Sequence, residues 1–191
     1  MISKKESGEA EGSGSGSVRR WAAFLTGIVI AHGILALVTW NRLPTEIPLH
    51  FDASGAPDRF GPPTVFAWFG PLVVSALMSL FIGAIAGAIP KIPLKYLSLP
   101  RKKEFLDLHK DAQRRLLATV SAHTLILAAT MAVVFTVLQI LMYLASVGEV
   151  ESFPAWIVFA AMALMIAQIV IMIVSFSRGL EAELGARGAR R

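Results

Sequence analysis

The residues of this chain best suited to chemistry lie in one polar loop, residues 41–63, between two long apolar stretches. Its sequence IPLHFD alternates apolar and polar residues, a period of two that predicts an extended strand. His50 and Asp52 would then share one face. The following DASGAP is typical of a tight turn, with Gly55 free to take positive φ, and would bring Asp58 back towards His50. One imidazole and two carboxylates suit zinc or a related divalent cation, or proton transfer.

A structural role for the same residues stays open. Asp side chains commonly cap the N–H groups of tight turns, and an imidazole can donate to a nearby carboxylate. Arg59 is placed to pair with Asp52 or Asp58. The candidate binding residues of the loop are therefore His50, Phe51, Asp52, Gly55, Asp58 and Arg59, and the candidate metal ligands among them are His50, Asp52 and Asp58.

The rest of the chain is unusually apolar. It is 55% hydrophobic and 16% charged, whereas a soluble domain is about a quarter charged. Segments without a single charged residue, each long enough to cross about 30 Å of hydrocarbon, are 21–40, 65–89, 116–145 and 155–176. The sequence therefore predicts an all-α membrane protein, with four transmembrane helices in a compact bundle over residues 18–180.

The charges alternate from one connecting segment to the next. The net charge is +1 in residues 1–20, −1 in 41–63, +5 in 90–115, −2 in 146–154 and +2 in 177–191. By the positive-inside rule, both termini and segment 90–115 are cytoplasmic, and the proline-rich loop 41–63 is external. The basic excess thus indicates topology in a bacterial-type cell (inner) membrane. It also indicates contact between residues 91–115 and anionic lipid headgroups, rather than nucleic-acid binding.

The two tails and the absence of cysteine set further bounds. Residues 1–17 are Gly/Ser-rich, which predicts disorder, and residues 181–191 form a basic C-terminal tail. With no Cys in the chain, disulfides and thiol catalysis are excluded. In the segment before the third span, Phe105, Leu108, Ala112 and Leu116 lie at helical spacing. They predict either an amphipathic helix on the membrane surface or a solvated extension of the third span.

Small residues recur along two of the predicted spans. In the second span they are four residues apart, which suits close approach of another helix, within the chain or in a dimer; they are Ser75, Ser79, Gly83 and Gly87. In the third span a mostly small seam steps by fours and threes; it comprises Ala118, Ala122, Leu125, Ala129, Ala132, Thr136 and Gln139.

Polar side chains within the spans form a second candidate site. His32 lies in the first span, His123 in the third and Gln168 in the fourth. Ionisable residues inside a bilayer are costly and tend to face the interior of a helix bundle. One interpretation is a proton relay or cation path through the three residues. The other is interhelical hydrogen bonding by neutral side chains, worth about 0.6 kcal/mol each.

The loop also carries a family resemblance. LPTEIPLHFDASGAPDRFG resembles the SdpI-like family of membrane proteins, whose N-terminal part is the domain of unknown function DUF1648. The positions that match its motif are Pro44, Ile47, Pro48, His50, Phe51, Asp52, Gly55, Pro57, Asp58, Phe60 and Gly61. The resemblance runs from the first span through segment 90–115, and it implies an external recognition loop with an immunity or signalling role.

These observations leave several functions open. The leading one is a non-enzymatic SdpI-like membrane protein whose loop 41–63 binds a peptide or protein. The alternatives are a metal-dependent membrane enzyme that uses His50, Asp52 and Asp58, and a small proton- or cation-coupled transporter that uses His32 and His123. A homo-oligomer and an accessory subunit of a larger complex are further possibilities for the assembly.

Overall fold

The computed structural model describes residues 16–154 and 156–188. Its first helix, α1, has the bounds Lys4–Trp40, of which the part from Gly16 is described. The predicted disorder of residues 1–17 falls almost wholly outside this part of the chain. The elements that follow are β1 (Ile47–Phe51), β2 (Pro57–Gly61), α2 (Val65–Ala88), α3 (Lys102–Leu106), α4 (Lys110–Ser146) and α5 (Trp156–Gly188), with short 3-10 turns at Ile89–Lys91 and Leu94–Tyr96.

Four of these helices are long and apolar enough to cross a membrane: α1, α2, α4 and α5. The sequence prediction of four helices with the length and composition of membrane spans is confirmed. These helices indicate a multi-pass membrane protein. The last two helices exceed the predicted spans, because α4 begins at Lys110 and α5 continues to Gly188. Much of the predicted tail 181–191 is therefore helical.

The four membrane-length helices do not contribute equally to the packing. α4 is central, since it packs against α1, α2 and α5. α1 and α2 also contact each other, whereas α5 has α4 as its main partner, and none of the most apolar window of α5 is buried. Bulky aliphatic side chains gain little from exchanging lipid for another helix, so α5 remains peripheral.

The shared core of α1, α2 and α4 is built on the small residues of α4. The buried positions of its predicted seam are Ala122, Leu125, Ala129, Ala132 and Gln139. Leu25 of α1 and Ala86 of α2 pack into the same cluster. Small side chains allow backbones to approach closely, which favours helix association inside a membrane. The seam thus selects the face of α4 that meets α1 and α2.

The apolar face predicted before the third span packs on protein rather than on a membrane surface. Phe105, Leu108, Ala112 and Leu116 are buried in one cluster with Phe176 and Leu180 of α5. Ion pairs surround this cluster: Arg101 pairs with Glu104 and with Glu181 (3.0 Å), and Arg115 with Glu183 (2.7 Å). The sequence analysis did not foresee this packing, because it ended the fourth span at residue 176. In the structure α5 continues beyond that residue and covers the apolar face.

Candidate functional site

The polar loop folds into an irregular two-stranded hairpin at one end of the helices. β1 and β2 pair antiparallel, as expected for an extended stretch followed by a turn. His50 lies opposite Arg59, and the register shifts on both sides of His50. Such shifts interrupt the strict alternation of a strand, and Asp52 follows the last residue of β1.

His50 and Asp58 form a close pair across this hairpin. The distance from His50 Nδ1 to Asp58 Oδ1 is 2.6 Å. An ionised carboxylate only accepts hydrogen bonds, so Nδ1 carries the proton and donates it. Both side chains remain largely exposed, at 58% and 45% of their full accessibility. The predicted convergence of Asp58 on His50 agrees with this geometry, and the pair is presented to the surroundings.

Asp52 takes a different role, inside the turn. Its Oδ1 accepts hydrogen bonds from the Ser54 hydroxyl (2.6 Å), the Ser54 N–H (2.8 Å) and the Ala56 N–H (3.0 Å). These donors, the Ser54 hydroxyl foremost, lower the pKa of the Asp52 carboxyl below its ordinary value. Gly55 completes the turn with φ +86°, a conformation that side chains rarely adopt. Asp52 therefore stabilises the turn, as in the structural alternative.

The structure brings together two of the three candidate metal ligands. His50 and Asp58 are in contact, whereas Asp52 faces its own turn. Within residues 16–154 and 156–188, no group of three His, Cys, Asp or Glu side chains is arranged to hold a metal ion. The arrangement is suited to charge-assisted hydrogen bonding with a partner through His50, Asp58 and the neighbouring Arg59.

The hairpin is held against the loop between α4 and α5. The Phe153 N–H donates to the Gly55 carbonyl at 2.6 Å, and the rings of Phe51 and Phe153 stack with centroids 3.9 Å apart. We call residues 41–63 and 147–154 together the cap. Phe153 was not among the sequence candidates, because nothing in its local pattern indicates a partner a hundred residues earlier.

Below the cap, Trp68 of α2 contacts both α1 and α4, and these contacts show which residues of the three helices lie at the same depth. It is fully buried, its indole Nε1 donates to the Ala36 carbonyl of α1 at 2.9 Å, and its ring meets Tyr143 of α4 edge-on at 6.4 Å. Because α1 and α4 run opposite to α2, a step of one turn inward leads from Ala36 to His32 and from Tyr143 to Gln139. His32 and Gln139 therefore lie at the same depth.

His32 and Gln139 form a buried polar cluster at this depth, and Ser75 of α2 is also buried. Their exposures are 0%, 1% and 1%. The His32 ring faces the Gln139 amide, yet both ring nitrogens, both amide atoms and the Ser75 hydroxyl have no hydrogen-bond partner among the described residues. An unsatisfied buried polar group costs about 1–3 kcal/mol. Sequence reasoning selected His32 but not Gln139 or Ser75, although both lie on the small-residue seams.

The other predicted intramembrane residues, His123 of α4 and Gln168 of α5, lie at other levels of the helices. Gln168 of α5 donates to the Thr130 hydroxyl at 2.7 Å. His123 lines a separate cavity of about 260 Å³ beside Ser17 and Trp21 of α1. His123 and Gln139 are sixteen residues apart on α4, or about 24 Å. The three residues predicted to form a path are thus placed at three separate levels, and His32 meets Gln139 rather than Gln168.

A family model described as "Domain of unknown function (DUF1648)" matches residues 27–74, a quarter of the chain. The matched region includes the cap-side part of α1 with His32, the hairpin with His50 and Asp58, and the start of α2 with Trp68. No curated protein and no solved structure matches this chain.

Proposed function

We propose that this chain is a non-enzymatic membrane protein of the SdpI-like type, whose cap faces away from the cytoplasm and binds a peptide or protein. The DUF1648 match and four membrane-length helices support the general class. The immunity or signalling role rests on the motif resemblance alone.

The observation that carries the proposal is the docking of the hairpin on Phe153. A two-stranded hairpin is marginally stable on its own, and here a hydrogen bond and an aromatic stack hold it on the helical domain. The docked hairpin presents His50, Asp58 and Arg59 as an ordered, exposed polar group. Fixing such groups before a partner arrives lowers the entropy that binding would cost.

The orientation follows from charge. Segments 1–20, 90–115 and 177–191 are net basic, whereas both segments of the cap are net acidic. The positive-inside rule then gives cytoplasmic termini and an external cap in a bacterial-type cell membrane. We further propose that exposed lysines of residues 91–115 contact anionic headgroups, each contributing about 1 kcal/mol near the surface. Assembly as a homo-oligomer or as a subunit of a larger complex is compatible with the exposed face of α5.

The test is site-specific photo-crosslinking in intact cells. A photoreactive residue replaces Phe60, which is 55% exposed beside the His50–Asp58 pair, or Tyr96, which is 70% exposed at the opposite end of α2. We expect a discrete protein adduct from position 60 and none of that mass from position 96.

Two variants sharpen the test. Asp58→Ala removes the partner of His50 and should reduce the adduct at least several-fold, whereas Glu46→Ala, a change of an exposed acid in the same loop, should leave it unchanged. Adducts with lipid only, or the same adduct from both positions, would overturn the proposed recognition function.

A second candidate function rests on the polar cluster inside the membrane. Unsatisfied polar side chains are costly to bury, and such residues commonly mark paths for ions or protons. The cluster of His32 and Gln139 therefore favours a small proton- or cation-coupled transporter as the alternative.

The alternative is tested by pH-dye flux in liposomes. Proton or cation flux by the wild-type protein, abolished in His32→Ala and retained in His123→Ala, would establish the cluster as the transport site. Equal, background-level flux in all three proteins would exclude it.

A further inference from the structure

A groove between α1 and α2 opens towards the surrounding bilayer, away from the cap. Its volume is about 380 Å³, within the roughly 300–1,000 Å³ of small-molecule sites. The floor is contributed by α4, and the residues that shape it include Ala22, Thr26, Ala76, Ser79, Gly83 and Leu125.

The small residues of α2 that the sequence places on one face, Ser75, Ser79, Gly83 and Gly87, have two different environments. Ser75 and Ser79 are buried, and the Ser79 hydroxyl, in the groove wall, has no partner among the described residues. Gly83 and Gly87 lie further along, and a Cβ built on either would meet nothing within 4 Å. The sequence predicts that these small residues pack against another helix. Ser75 and Ser79 are packed in this way, whereas Gly83 and Gly87 face open space.

The dimensions fit a single hydrocarbon chain better than a helix. The groove follows α1 from Ala22 to Ile30, eight residues or about 12 Å, so its mean cross-section is about 30 Å². A helix with its side chains is 10–12 Å across, a cross-section of roughly 95 Å². A second copy of α2 could therefore cover the groove but not occupy it.

Basic side chains follow the groove residues of α1 and α2 at the end of the groove that is farther from the cap. Arg19 precedes Ala22 by three residues and so lies on the same face of α1, with Arg20 beside it. Lys91 lies three residues beyond the end of α2, as the last residue of the 3-10 turn Ile89–Lys91. All three are exposed, and none has an ion-pair partner in the part of the chain that the structure describes. Basic pockets between membrane helices are typical sites for anionic headgroups.

We propose that this groove is a binding site for an anionic phospholipid of the bilayer. One acyl chain lies between α1 and α2 over Leu125, and the phosphate group contacts Arg19, Arg20 and Lys91. The site is independent of the recognition function proposed for the cap, because it lies at the other end of α1 and α2.

The test is native mass spectrometry of the full chain in mild detergent, titrated with phosphatidylglycerol or with phosphatidylcholine of the same acyl chains. We expect tighter binding of phosphatidylglycerol. Lys91→Gln and Arg19→Gln should each weaken phosphatidylglycerol binding about fivefold, while phosphatidylcholine binding stays unchanged.

Filling the groove provides the second arm. Gly83→Leu should weaken the binding of both lipids, whereas Gly27→Leu, in equally open space on α1 but outside the groove, should bind as wild type. If Gly83→Leu lowers the melting temperature, the surface variant Lys91→Gln still decides the outcome. Equal affinity for both lipids in wild type, unchanged binding in Lys91→Gln, or a Gly83-dependent protein dimer without bound lipid would overturn the proposal.

Discussion

The Phe153 N–H donates to the Gly55 carbonyl at 2.6 Å, and this bond joins two loops that are almost a hundred residues apart. With the stack of Phe51 on Phe153, it ties the end of α1 and start of α2 to the end of α4 and start of α5. The four membrane-length helices are therefore linked at one end through the cap. The hairpin that carries the His50–Asp58 pair is docked on the helical domain through these contacts.

Gly55→Ala should destabilise the cap more than a positive-φ glycine normally would. A Cβ on Gly55 would lie 2.0 Å from the Phe153 carbonyl oxygen, so the loop would have to move. Gly148→Ala is the matched control, because Gly148 has φ +79° with nothing within 4 Å. We expect about 1–2 kcal/mol for the control and a clearly larger loss of unfolding free energy for Gly55→Ala. Equal losses in thermal or denaturant unfolding would contradict the close contact.

The Phe51–Phe153 stack should appear as an energetic coupling. In a double-mutant cycle with Phe51→Ala and Phe153→Ala, we expect a coupling of about 0.5–1.5 kcal/mol, the usual value for an aromatic pair beyond area burial. Unfolding of the purified protein in detergent measures it. Additive losses from the two single variants would show that the loops are held by other contacts.

Acid should weaken the cap through Asp52. Hydrogen bonds to the carboxylate lower its pKa in the folded protein, so its stabilising contribution is present above the unfolded pKa of about 3.9. That contribution is lost as the pH falls through the lower folded pKa. The melting temperature of Asp52→Asn should therefore be less pH-dependent than that of wild type in this acid range. Glu46→Gln is the control and should follow the wild-type profile; an identical profile for Asp52→Asn would refute the assignment.

Trp68→Phe should destabilise the core of the membrane domain. The change keeps the ring contact with Tyr143 but removes the indole donor to the Ala36 carbonyl, at a cost of about 0.5–1.5 kcal/mol. Trp156→Phe, at a residue 67% exposed, should change the unfolding free energy by less than about 0.5 kcal/mol. Equal effects of the two variants in thermal unfolding would argue against the buried hydrogen bond.

The sequence predicted what depends on local pattern and composition. Length and the absence of charge were enough to find four membrane-length helices, and the turn chemistry of DASGAP was enough to bring Asp58 to His50. The sequence left two roles open for Asp52, on the His50 face of a strand or capping the turn. The structure has the second, because Asp52 follows the end of β1 and accepts from the Ser54 and Ala56 N–H groups.

Long-range contacts account for the rest. Phe153 meets Gly55 and Gln139 meets His32 only when distant elements pack, so their local sequence did not indicate these neighbours. The peripheral position of α5 could not be predicted from its composition, because α5 is as apolar as the core helices. Its packing depends instead on where small residues occur. Gln139 had one usable signal, its place at the end of the small-residue seam of α4.

The most direct test of the external cap is labelling of single cysteines in intact cells, since the chain has no native Cys. Ala53→Cys and Ser152→Cys lie in the two segments of the cap, and Ser98→Cys lies in the basic segment; all three positions are exposed. A membrane-impermeant maleimide should label positions 53 and 152 in intact cells, and position 98 only after permeabilisation. Labelling of position 98 in intact cells, or of only one cap position, would contradict the account.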